Sequence, residues 1–295
     1  MFNPSRTALA LTAVATDNEH MASRTVSEAV GTATLVVVED VSSADPLLEW
    51  GAYEADRRHG GMCVLSLAGA SALDPVIKTR RYPHLRVVEW SADLLEGIRA
   101  EEELVPGAMI VVGPLDESLL VDLVFGLADD GFGGPVVVVP RSAWLTRPSR
   151  TANSRLTVGF HGSGSSLPAL RWAVAEATRR DAEVRAVLAW SEGPYGGIGG
   201  PVPIDLHRHE RAGAAAKDLA VATLTGAGLP MEHVTAVARR GYPSRVLIHE
   251  AAGSELLIVG AGGSVLHRHR LLGAATIGCT RRSPVPVAIV SSAAA

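Results

Sequence analysis

Leu256-Leu257-Ile258-Val259-Gly260-Ala261-Gly262-Gly263, followed by Ser264 to Leu272 and then Gly273-Ala274, is the stretch that decides the fold. A short apolar run ending in glycine reads as a buried parallel strand whose carboxyl end opens into a tight loop. Two residues separate Gly260 from Gly263, and nine separate Gly263 from Gly273. Glycines let backbone N–H groups turn toward an anion with no Cβ in the way. A helix starting at Gly273 would add its unpaired N–H groups and its positive dipole end. No Gly-Lys-Ser/Thr follows, so this is not a Walker loop, and the glycines lie too far apart for the dinucleotide fingerprint.

Working outward, strand-like and helix-like runs alternate along the whole chain. Strands are expected at 34–38, 63–67, 85–88, 108–113 and 135–140, with helices over 45–58, 92–103 and 118–128. The order then repeats, with strands at 156–160, 184–190 and 233–239 and helices over 165–180, 207–224 and 242–252. Such alternation predicts an α/β fold, here two tandem doubly wound parallel-sheet domains. Residues 1–31 read as a flexible tail with a poor match to a secretory signal. The domains read as 32–141 and 155–291, with a linker at 142–154 and a tail at 292–295.

The halves also agree in residues. Trp50, Glu54, Arg57 and Arg58 line up with Trp172, Glu176, Arg179 and Arg180. Gly113, Asp116 and Gly126 keep the spacing of Gly260, Gly263 and Gly273. Each half ends in an aliphatic strand, 136–139 and 287–290. Two arrangements would hide these edges: pairing with each other inside one chain, or pairing across chains into a dimer.

Hydrophobic residues make up 47% of the 295, enough for sizeable cores, and aromatics at 4% favour parallel sheet under alanine-rich helices. A net charge of −4 offers no basic field to nucleic acid or an anionic membrane, and neither is an expected partner. No apolar run is long enough for a membrane helix. Two cysteines, Cys63 and Cys279, make no disulfide framework and fit a reducing cytoplasm.

Four segments in order carry a resemblance. Val158-Gly159-Phe160-His161-Gly162-Ser163 ends a strand, and Leu170-Arg171-Trp172-Ala173 continues the helix after it. Gly241-Tyr242-Pro243 turns into a later helix, and the Gly260, Gly263, Gly273 frame is closed by Pro284 to Val290. Together they resemble the universal stress protein family over about 155–291, and more faintly over about 32–141. The chain thus looks like a tandem two-domain member with degenerate nucleotide motifs and an adenine nucleotide alpha hydrolase-like fold.

The resemblance implies ATP phosphates on the glycine frame. It implies site residues His161, Gly162, Ser163, Gly260, Gly263, Gly273, Ala274 and Thr276. Two positions depart from the family. His161 stands where nucleotide-binding members have an aspartate, and Ala274 where they have a hydroxyl; Thr276 falls where a second hydroxyl is common. Arg268 and Arg270 lie inside the frame and could donate to phosphate, against the alternative of a solvated basic loop. His267 and His269 lack a third ligand, so no metal cofactor is expected. In the first half, Asp116 and Glu117 would repel phosphate and Pro114 removes a donor, so that half is expected to be structural.

No nucleophile, base and orienting acid come together, so no enzyme is expected. The implied function is a cytoplasmic, stress-related regulatory or binding module with at most one weak adenine-nucleotide (ATP) site, in the second half. The alternative is a ligand-free interaction scaffold that forms a homodimer and docks a protein partner.

Overall fold

The computed structural model describes residues 32–67, 73, 85–89, 94–99, 104–144, 154–162, 164–190, 206–226, 232, 234–262 and 271–291. They form two compact units, one running through Gly113 and the other beginning at Pro114. Both are mostly parallel sheet flanked by helices, the α/β class expected from the alternation.

The first unit contains β1 (Thr32–Val38), α1 (Val41–Arg57), β2 (Gly61–Ser66), β3 (Leu85–Glu89), α2 (Leu94–Arg99) and β4 (Leu104–Val112). Its strand order is β3-β2-β1-β4, all parallel. Leu35, Val36 and Val38 of β1 are fully buried, as a strand covered on both faces requires. Helix α1 begins earlier than the apolar periodicity indicated. Asp40 caps it, its carboxylate accepting from the Ser42 N–H at 2.7 Å, so the polar first turn is held by the cap and not by packing.

The second unit contains α3 (Glu117–Asp129), β5 (Val136–Val138), β6 (Arg155–Phe160), α4 (Leu167–Arg180), β7 (Glu183–Trp190) and α5 (Leu206–Gly226). It continues with β8 (Val234–Arg240), α6 (Pro243–Glu250), β9 (Leu256–Gly260), α7 (Ala274–Arg282) and β10 (Val287–Val290). The strand order is β5-β10-β9-β6-β7-β8. All neighbours are parallel except β5 and β10, which run antiparallel, with Val287 opposite Val138 and Ile289 opposite Val136. Of the two expected arrangements for the aliphatic strands, pairing inside one chain is the one observed.

The residue repeat has a physical basis in burial. Trp50 and Trp172 are 5% and 7% exposed, and Glu54 and Glu176 are buried with them on the inner faces of α1 and α4. In α4 the buried carboxylate of Glu176 accepts from Arg180 Nε at 2.7 Å and also from Arg179. Arg180 reaches on to Glu255 at 3.2 Å, and Glu255 accepts from Ser154 Oγ at 2.5 Å. This network closes the amino-terminal edge of β6 and β9, opposite to the edge that carries the glycine loops. At the end of α1, the C-cap residue Arg58 donates to the Gly107 carbonyl at 3.0 Å.

One part of the repeat does not carry over. Gly126 lies inside α3, which begins directly after Asp116, so the first-half spacing frames no loop. In the second half, by contrast, Gly273 is the N-cap of α7.

Candidate functional site

Strands β6 and β9 are parallel neighbours, with Val158 opposite Ile258, so their carboxyl ends leave the sheet side by side. From β6 the chain runs outward through β7 and β8, then returns to β9 on the other side of β6. The strand order therefore reverses between β6 and β9. In open α/β sheets that reversal opens a crevice above the carboxyl ends, where ligands bind.

On the β6 side, His161 follows the strand and is exposed. Its backbone N–H donates to Ser166 Oγ at 3.2 Å, and its ring Nε2 lies 3.5 Å from Ser165 Oγ. Both serines belong to the turn leading into α4. Gly162 has φ +77°, and a Cβ there would come within 3.1 Å of the Leu219 side chain on α5. Leu219 is 46% exposed and walls this side of the crevice.

On the β9 side, a Cβ on Gly260 would lie 3.8 Å from the Ser165 carbonyl oxygen, so the two strand ends come close together. Ala261 N–H continues the ladder to the Val290 carbonyl at 2.9 Å. Gly262 then turns with φ +55°, and a Cβ on it would meet Gly273 Cα at 3.6 Å. Gly273 N–H donates to the Ala261 carbonyl at 3.1 Å, pinching the two ends of the glycine-framed loop together. Gly262 is the position the glycine spacing did not single out: its positive φ, not its place in the spacing, marks it.

Helix α7 starts bare. Its N-cap is Gly273, with no side-chain cap bond and no acidic residue in the first turn. The first intrahelical bond is Ile277 N–H to the Gly273 carbonyl at 3.0 Å. The amides of Ala274, Ala275 and Thr276 thus have no acceptor within the helix, and the positive end of its dipole faces outward. Ala274 is exposed there. Thr276 is 3% exposed, and its hydroxyl donates to the Gly260 carbonyl at 2.9 Å. The start of α3 is electrostatically opposite, with Asp116 at the N-cap and Glu117 in the first turn.

The described members of the expected site, His161, Gly162, Gly260, Gly273, Ala274 and Thr276, all lie around this one crevice. Ser163, Gly263, Arg268 and Arg270, with His267 and His269, lie outside the described residues. No group of three metal-ligating side chains occurs among the described residues. Both cysteines are buried and neither forms a disulfide, and burial pushes the Cys279 thiol up to about 12. No helix among the described residues is long and apolar enough to cross a membrane.

No curated protein matches the chain. Among solved structures, a functionally unknown protein from Pseudomonas aeruginosa PAO1 matches with a TM-score of 0.57 at 14% identity, covering 89% of this chain and 93% of its own. A universal stress protein from Archaeoglobus fulgidus DSM 4304 matches with a TM-score of 0.50 at 15% identity, covering 88% and 97%. At such identities the likeness establishes the fold alone, and it extends over both units of the chain. The sequence pattern of the universal stress protein family matches residues 153–291, the segment that contains every strand and loop of the crevice. Over residues 153–291 the chain is therefore similar to the universal stress protein family.

Proposed function

We propose that this protein is a cytoplasmic regulatory or binding module, not an enzyme, that holds one adenine nucleotide, ATP, in the crevice above β6 and β9. The observation that carries this reading is the uncapped start of α7, with free-facing amides and no acidic side chain, across from the end of β6. Backbone N–H groups at a helix start, together with the dipole, suit an anionic phosphate. Gly260, Gly262 and Gly273 keep Cβ atoms out of the approach, and Gly263 with Arg268 and Arg270 would complete the phosphate end. His161, Gly162 and Ser163 would face the nucleoside, with imidazole donating or accepting where the family has a carboxylate.

The start of α3 supports a single site. Asp116 and Glu117 occupy the place of a phosphate there, and no glycine loop precedes them. The first unit and α3 then serve as structure. The same two departures, His161 and Ala274, favour a second reading: a domain that has lost its ligand and acts as a scaffold, forming a homodimer or docking a protein partner.

Equilibrium dialysis of labelled ATP against the purified protein separates the two. Saturable binding, reversed by unlabelled ATP and unaffected by double-stranded DNA, supports the nucleotide module. Absence of saturable binding at millimolar ATP supports the scaffold.

A further inference from the structure

We propose that Thr276 is a positioning residue for the phosphate end of this site, acting through Gly260 without touching the ligand. The proposal rests on the nucleotide reading above and deepens it. A threonine hydroxyl has one proton to donate. Here that proton goes to the Gly260 carbonyl at 2.9 Å, from a side chain only 3% exposed. The hydroxyl therefore has no proton left for a phosphate oxygen, and no solvent-facing side from which to offer one.

The bond joins the last residue of β9 to the first turn of α7, across the whole glycine-framed loop. The Gly273 Cβ position lies 3.6 Å from Thr276 Oγ1, so the hydroxyl sits directly beneath the N-cap. Two bonds thus hold the helix start against the strand end: Gly273 N–H to Ala261, and Thr276 Oγ1 to Gly260. With Ala274 carrying only a methyl, the described donors at this end are backbone amides. Their direction depends on how firmly α7 is pinned. Loosening the pin misaims every amide at once and costs phosphate binding, while the nucleoside end keeps its contacts.

Thr276→Val removes the donor at nearly constant shape, and Thr276→Ser keeps it. Amide hydrogen exchange at Gly273, followed by NMR without nucleotide, should speed up about tenfold in the valine variant, as loss of one hydrogen bond near 1.4 kcal/mol allows. The serine variant should stay close to the parent. Calorimetry should show ATP weakened by about tenfold in the valine variant on the same basis, adenosine changed by less than about twofold, and serine restoring ATP. Unchanged exchange with weaker ATP would mean that Thr276 touches phosphate, and overturns the proposal. Faster exchange with equal effects on ATP and adenosine would make the bond merely structural, and also overturns it. A parent protein that binds no ATP defeats the nucleotide reading itself; the exchange result then still shows whether the pin exists.

Discussion

Val287 stands opposite Val138 in an antiparallel pair, the only antiparallel neighbours among the described strands of the second unit. Both strands are buried throughout, so two aliphatic edges that would otherwise invite association hide each other. Prolines outside the paired residues, Pro140 and Pro286 among them, limit how far the pairing can run.

Lysine at both Val138 and Ile289 should therefore destabilise the protein at every concentration. Each substitution buries an ammonium with no partner, at a cost of several kcal/mol. Chemical denaturation across a hundredfold range of protein concentration checks this. A double variant of parental stability, or one that only changes from dimer to monomer in sedimentation, would contradict internal pairing.

Glu176→Ala should be among the most damaging single changes. It removes the nearer carboxylate, at 2.7 Å, from Arg180, whose side chain is 2% exposed, and leaves Glu255 at 3.2 Å. Removing one partner of a buried pair costs about 3–5 kcal/mol. Glu176→Gln, which keeps one acceptor, should cost less, and urea denaturation resolves the order. Equal stabilities for the two variants would mean that the charge in this network contributes nothing.

Glu250 makes a pH-dependent contribution. Burial alone would raise its pKa, but hydrogen bonds from Arg239 at 2.9 Å and Arg185 at 2.7 Å outweigh this and hold it below the ordinary value. A carboxylate with a depressed folded pKa adds stability above the unfolded value, near 4.3, and loses it as pH falls through the folded one. At pH 7, Glu250→Gln should cost about 1.5–3 kcal/mol, the range for hydrogen bonds to charged groups. The gap from the parent should narrow as the pH is lowered below about 4. Thermal melts at pH 7 and pH 3 test it; a gap of constant size would contradict the sign.

Much of this was legible in the sequence because the causes are local. Strand and helix alternation follows from period and caps, and Trp172 with Glu176 shows the inward face of α4 because residues at i and i+4 share a helix side. The glycines around 260–273 were readable because nothing else explains their density next to an apolar strand. The first-half counterpart misled for a definite reason. Gly126 matches in spacing, but Asp116 and Glu117 are helix-start residues, and α3 begins with them. The partner of the strand at 136–138 was not decidable, since valine runs pair equally well in either direction and across chains. Thr276 could be placed near the site by spacing, but not the inward direction of its hydroxyl, which only the fold determines.

The central claim is that the start of α7 binds phosphate, and Ala274 offers the most direct test. Ala274 is exposed at the first helical position, so Ala274→Asp puts a carboxylate where Asp116 and Glu117 stand on α3. A carboxylate at a helix start is itself stabilising by about 0.3–1 kcal/mol, so the fold should be kept or strengthened. Isothermal calorimetry with ATP should show the parent binding with a Kd of about 1 mM or tighter, and the aspartate variant, equally or more stable, binding at least about tenfold more weakly. A parent with no measurable ATP binding at millimolar ligand, or a variant that binds as well as the parent, would contradict the account.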